Sequence, residues 1–181
     1  MTRERRLQRQ RLLLVAVTIC AIGAAWIGPD IEPDRIGQEL HDPEAIAAQL
    51  LDANASLGEA TALRTARAVV RYSAKYQLDP VLVTAVLMVE STARPWAQSP
   101  KGAVGLMQVM PHMMEPMALA GNVATIESNI EAGCWILAHN IRRLGEDDGI
   151  SAYFWGSEIR GVAYLERVRE AREALRRRQP S

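Results

Sequence analysis

Apolar residues recur along this chain at helical rather than strand spacing. Pro43–Ala53 places Ile46, Leu50 and Leu51 on one side, which predicts a short amphipathic helix. Thr61–Tyr76 sets Leu63, Ala66, Val69, Val70 and Ser73 against Arg64, Arg67, Arg71 and Lys75, a helix with one wet face. Asp79-Pro80 reads as a helix start, with a capping carboxylate followed by a proline in the first turn. The run Val81–Val89 is apolar all round, so its helix is predicted to be buried; it closes on Glu90-Ser91, and Pro95 prevents it from continuing. Ala97–Val104 carries Ser, Pro and Gly and reads as a loop, and Gly105–Met110 and Met113–Leu119 as short helices interrupted at Pro111. Thr125–Leu144 is a long helix whose buried stripe is Ile126, Ile130, Gly133, Ile136, Leu137 and Ile141. Gly145–Gly149 is predicted to turn, Ile150–Gly156 to form a short aromatic segment, and Val162–Arg178 a final helix ending in surface charge. The pattern is all-α, with about seven helices and no repeats.

The first 29 residues follow a different rule. Met1–Arg11 holds five arginines and one glutamate, and Leu12–Pro29 holds no charge. A helix over those 18 residues would be about 27 Å long, close to the roughly 30 Å of a bilayer core. The arginines belong on the cytoplasmic side, so everything after Pro29 is expected to be exported. The stretch reads either as an uncleaved signal anchor continuing through Trp26 and Ile27, or as a signal peptide cleaved near Gly23-Ala24-Ala25. Asp30–Asp42 is rich in Asp, Glu and Pro and reads as a solvated acidic stem.

Charge narrows the function. The chain is formally neutral, but this averages a basic head, a body that is acidic and a basic tail. Asp30–Leu165 holds ten basic and 17 acidic residues, a net of −7, which argues against a nucleic-acid partner that must displace counterions from phosphate. Cys20 and Cys134 are too differently placed to suggest a disulfide framework, and no zinc spacing, phosphate loop or nucleophile elbow is present. His112 and His139 have no partners in sequence.

Glu90 is the residue out of place. It follows Val86-Leu87-Met88-Val89 on a helix apolar on every face, and burial without a cationic partner raises a carboxyl pKa toward the range of a general acid. Position alone also allows a helix-end glutamate that reaches water or pairs with Arg94.

The residues beyond Glu90 add a pattern. Glu90-Ser91, the loop through Ser99, and Gly102-Ala103-Val-Gly105-Leu106-Met107-Gln108-Val-Met110-Pro111 resemble the signature of the soluble lytic transglycosylase (SLT) family. Tyr76-Gln-Leu-Asp79-Pro80 is similar to that family's lead-in, and Asn129-Ile130-x-x-Gly133-x-Trp135-x-Leu137 to a later helix, with Trp where the family has Tyr. Ala152-Tyr153-Phe154-Trp155-Gly156 departs from the family's Ala-Tyr-Asn-x-Gly: the only Phe of the chain replaces an Asn that helps line the cleft, which bears on substrate fit. The resemblance covers Thr61 to Val168.

It implies a lysozyme-like helical domain with a deep cleft over 43–168, between the stem (30–42) and a basic C-terminal tail (169–181), behind the membrane helix or signal of 1–29. It implies cleavage of the β-1,4 bond between N-acetylmuramic acid and N-acetylglucosamine in peptidoglycan strands, with no metal or cofactor. Glycoside hydrolysis ordinarily uses two carboxylates, and the matched motifs hold one; Glu115 and Glu158 fall at no matching position. In the family the muramic C6 hydroxyl is the nucleophile and a 1,6-anhydro sugar the product, with the single glutamate, here Glu90, as acid and then base. Ser91, Ser99, Gly105, Leu106, Met107, Gln108, Met110, Tyr153 and Tyr164 are the implied substrate residues, one tyrosine contacting Glu90. Three other readings stay open: a muramidase of the same fold that uses water, a wall-binding module without turnover, and a membrane-anchored interaction protein.

Overall fold

The computed structural model describes residues 42–178. Among them are six α-helices and no strand, the extended pairings being isolated bridges at Gln98–Val104 and Val104–Val109. α1 (Pro43–Ala53) starts on Asp42, whose carboxylate accepts the Glu44 N–H. A single 3₁₀ turn (Ala55–Leu57) leads into α2 (Glu59–Tyr76), which stops where Gln77 turns left-handed. α3 (Pro80–Ser91) begins as its sequence predicts: Asp79 accepts the Val81 N–H at 2.8 Å and Pro80 occupies the first turn. α4 (Ile126–Leu144), α5 (Glu146–Trp155) and α6 (Ala163–Arg177) complete the chain.

α3 is the hydrophobic axis. Val81 through Leu87 are all buried, and Leu82, Val83, Val86 and Leu87 are at most 2% exposed. Each such side chain stabilises the fold by roughly 1.5–3 kcal/mol relative to an exposed one. α6 packs along α3, α2 packs against α1, α3 and α4, and α5 lies against α4 and α6.

Three local expectations change. The segments 105–110 and 113–119 are turns, with one 3₁₀ turn at Pro111–Met113. Gly105 (φ +81°), Gln108 (φ +49°) and Ala118 (φ +51°) are left-handed, which an α-helix does not tolerate, and Val104 and Val109 exchange backbone hydrogen bonds across the turn. The expected turn at 145–149 is helix from Glu146 onward. Gly145 (φ +85°) makes the reversal alone, and Glu146, Asp147 and Asp148 sit at the positive end of α5. Gly149 lets α5 meet α4, since a Cβ there would lie 2.6 Å from Ile141 Cα.

The expected tail boundary after Val168 falls inside α6. Val168 and Leu175 are both buried, Gln49 donates to the Leu175 carbonyl at 3.1 Å, and Arg172 pairs with Asp79 and Glu146, each at 2.7 Å. The segments read as anchor and stem lie outside the described residues, except for Asp42. No helix among the described residues is long and apolar enough to cross a membrane.

Candidate active site

Glu90 ends the apolar run of α3, half-buried. Tyr164, in the first turn of α6 and 2% exposed, donates its phenolic hydrogen to Glu90 Oε1 at 2.6 Å. Burial pushes the Glu90 carboxyl above its ordinary range; the Tyr164 hydrogen bond and the nearby Arg167 charge pull the other way without cancelling it. Arg167 lies with its guanidinium carbon 5.6 Å from the Tyr164 ring centroid. The Tyr164 phenol is held far above its usual range, first by burial and then by the Glu90 charge, so it remains a donor. Arg94, the sequence alternative as partner, donates instead to the Ser91 carbonyl at 2.8 Å.

The Gly-Leu-Met-Gln turn is fixed from α4. Asn129 accepts the Met107 N–H at 2.8 Å and donates to the carbonyls of Val104 and Val123. A Cβ on Gly105 would lie 2.5 Å from Asn129 Cγ, and one on Gly133 would lie 2.7 Å from Met107 Cβ. The spacing of the two motifs thus has a packing cause: the turn lies against the Asn129–Gly133 face of α4. Tyr153 completes the clasp, donating to the Met107 carbonyl at 2.8 Å.

The candidate residues divide accordingly. Leu106 and Met107 are core residues, and Gly105 serves the Asn129 contact. Ser91 is buried and its hydroxyl donates back to the Leu87 carbonyl. Ser99 accepts the Ala103 N–H at 3.0 Å and shapes the loop. Gln108 spends its amide N–H groups on the carbonyls of Ala97 and Gly105, which supports its left-handed backbone. Gln108, Met110 and Tyr153 line one groove of about 340 Å³, together with Met113, Ile136, Asn140, Arg143 and Phe154.

Glu90 does not line this groove. Phe154 connects the two: it lines the groove, is 51% exposed, and stacks on Tyr164 with centroids 5.0 Å apart and rings inclined by 16°. Trp155 stands edge-on to Phe154. A second depression of about 400 Å³, lined by Asn54, Arg94 and Trp96, includes none of the candidate side chains. Glu115 and Glu158 are exposed, the latter paired with Arg160. No cluster of three or more His, Cys, Asp or Glu suited to a metal occurs among the described residues.

Asn129 belongs to the Asn-Ile-x-x-Gly motif but is not among the implied substrate residues; its sign in the sequence is an Asn on the otherwise apolar face of α4. Phe154 was legible only as a departure from a pattern.

A family model for the transglycosylase SLT domain matches residues 67–165, more than half of the chain. The chain belongs to the transglycosylase SLT domain family. A protein named "Transglycosylase" from Enterobacteria phage PRD1 is 37% identical over 86 residues, which are 47% of this chain and 32% of the phage protein. The match thus spans about a third of that relative's length. Among solved structures, an inactive mutant of the lytic transglycosylase Slt from Pseudomonas aeruginosa aligns over 72% of this chain and 27% of its own, with 17% identity and a TM-score of 0.47.

Proposed function

We propose that this chain is a peptidoglycan lytic transglycosylase that cuts the β-1,4 bond between N-acetylmuramic acid and N-acetylglucosamine, with Glu90 as its single acid and base. The observation that carries the reading is a glutamate desolvated at the end of a buried helix, its pKa raised and its oxygen held by Tyr164. Membership of the transglycosylase SLT domain family supports the substrate class.

In the proposed reaction the protonated Glu90 gives its proton to the glycosidic oxygen as the C1–O bond breaks. The ionised carboxylate then takes the proton of the muramic C6 hydroxyl as that oxygen bonds to C1, giving a 1,6-anhydro sugar and returning Glu90 to its starting form. No water is consumed. An intramolecular nucleophile has an effective molarity that reaches about 10⁵ M or more in favourable geometries, which removes the need for a second carboxylate. Tyr164 fixes the Glu90 carboxyl, and Met110, Tyr153 and Phe154 form wall along which a glycan strand lies. Supporting an exported, membrane-held enzyme are the arginine head and the 18 uncharged residues that follow it.

The test is incubation of wild-type and Glu90→Gln proteins with purified peptidoglycan, followed by mass analysis of released products. Soluble 1,6-anhydro muropeptides from the wild type, released about 10²–10⁴-fold more slowly by the variant, are expected. Equal release by both removes Glu90 from the acid role, and reducing-end products indicate a hydrolytic muramidase. Phe154 in the place of the family's Asn favours one second reading, a wall-binding module without turnover. Wild-type protein that binds wall yet releases nothing soluble would establish it.

A further inference from the structure

We propose that the depression beside Trp96 is a second carbohydrate site, which holds a stretch of glycan strand away from the scissile bond. This rests on the peptidoglycan reading above and goes beyond it, since no residue lining the depression also lines the groove along α4. Trp96 is 81% exposed, the most exposed large apolar side chain among the described residues. Trp135 stacks on His139 and Trp155 stands against Phe154, and both are half-buried. Among the described residues Trp96 has no ring or cation stacked on it. A lone exposed apolar residue is ordinary. This one walls a concavity of about 400 Å³, within the roughly 300–1,000 Å³ of small-ligand sites.

The depression is held in shape by its own hydrogen bonds. Its walls are the 3₁₀ turn after α1 and the turn after α3, and Asn54 joins them. The Asn54 amide donates to the Ala93 carbonyl at 3.0 Å, and its oxygen accepts the Ser56 N–H at 3.2 Å. On one side of Trp96, Arg94 donates its Nε–H to the Ser91 carbonyl. On the other, the Ala97 carbonyl accepts the Gly105 N–H at 2.8 Å and the Gln108 amide at 3.1 Å. The indole is thus carried on an ordered backbone, which lowers the entropy lost on binding. A pyranose chair has an apolar C–H face and a rim of hydroxyl and acetamido groups. The indole answers the face; Arg94, Gln98 and Ser56 bring a guanidinium, an amide and a hydroxyl to the rim. No carboxylate lines the depression, and Arg94 is its one cation. Anionic lipid surfaces are met by clusters of about four to eight cations, so a single arginine beside a tryptophan fits a neutral sugar better. N-acetylglucosamine is that sugar in the strand.

The experiment titrates full-length Glu90→Gln protein, labelled with fluorotryptophan, with a soluble β-1,4-linked tetramer of N-acetylglucosamine. The Trp96 fluorine signal, assigned by its loss in Trp96→Tyr, is expected to shift saturably with the tetramer. Sedimentation with peptide-free glycan strands gives the second readout. Trp96→Ala in the same background weakens strand binding about tenfold, corresponding to about 1.4 kcal/mol, the size of one aromatic stacking contact. Trp96→Tyr, which keeps a ring, restores part of it. A Trp96 signal that does not move with the tetramer overturns the inference, as does equal strand binding by Trp96→Ala. A signal that moves with phosphatidylglycerol vesicles and not with the tetramer also overturns it, and gives this face to the membrane. Neither readout depends on cutting. Wild-type protein that releases nothing from the wall refutes the proposed activity, and the Trp96 signal then decides this inference separately.

Discussion

Tyr164 holds Glu90 across the seam between the last helix and the third, its hydroxyl 2.6 Å from Glu90 Oε1 and the two residues 74 positions apart. The bond opposes burial. Desolvation favours the protonated carboxyl, and the phenol, a donor to the ionised form, favours the carboxylate. The proton affinity of Glu90 is thus set by a balance that each partner can tip.

Removing the donor tips it toward protonation. In Tyr164→Phe burial acts with one opponent fewer, so the Glu90 pKa rises further. The alkaline limb of the rate–pH profile for muropeptide release moves to higher pH. The maximal rate falls about tenfold, because the carboxyl loses the group that positions it. Arg167→Gln shifts the limb in the same direction, since it removes the other favourable charge effect. A limb that moves to lower pH in either variant contradicts the balance.

Stability follows the same proton. A carboxyl whose folded pKa lies above its unfolded value adds stability that is complete below the unfolded pKa and lost as pH rises through the folded pKa. Wild type is therefore penalised at neutral and alkaline pH relative to Glu90→Gln, whose amide carries no charge at any of these pH values. Melting temperatures of the two proteins measured from pH 4 to 8 should diverge in favour of the variant as pH rises. Parallel curves would mean that Glu90 is solvated.

Asp79 works with the opposite sign. Burial raises its carboxyl pKa, but the hydrogen bonds from Arg172 and Val81 and the charges of Arg172 and Arg176 outweigh it and hold the group below its usual value. Its contribution is present above the unfolded pKa and is lost as pH falls through the folded one. Asp79→Ala should cost about 0.5–2 kcal/mol for the cap, and the deficit measured by urea unfolding at pH 7 should narrow in acid. The cap was legible as Asp79-Pro80. Its second role, tying α3 to α6 through Arg172, was not, because the two residues are 93 positions apart.

Similar limits separate the legible from the illegible elsewhere. α1, α3 and α4 were readable within a residue or two because apolar stripes and prolines mark them locally. The segments 105–110 and 113–119 have the apolar spacing of short helices, but their apolar residues serve turns. The conformation there is imposed by Asn129, more than twenty residues later, and by left-handed Gly105 and Gln108. Glu90 stood out by its surroundings on one helix. Tyr164 emerged only through a family resemblance, and nothing local told a substrate contact for Ser91 from its bond to Leu87.

Asn129 carries the turn, so its loss should act at a distance from it. Asn129→Ala leaves the Met107 N–H and the carbonyls of Val104 and Val123 without their partner, at about 1–3 kcal/mol for each buried group left unsatisfied. Gly105→Ala retains Asn129 but drives a methyl into it at a left-handed position. Both variants should unfold at lower urea, and hydrogen exchange should rise first at Met107 and Val109. Protection unchanged there would show that the turn holds itself.

Phe154 provides the opposite perturbation to Tyr164→Phe. Its ring covers Tyr164 from the groove side while remaining half exposed itself. Phe154→Asn, the residue usual in the family, therefore opens the Tyr164–Glu90 pair to water without removing a core side chain. The desolvation that raises the Glu90 pKa relaxes while the hydrogen bond remains, so the alkaline limb should move to lower pH. The melting temperature should change little, as for most exposed substitutions. If instead the limb stays in place while substrate affinity alone changes, Phe154 acts as a surface for the sugar and not as a cover for the acid.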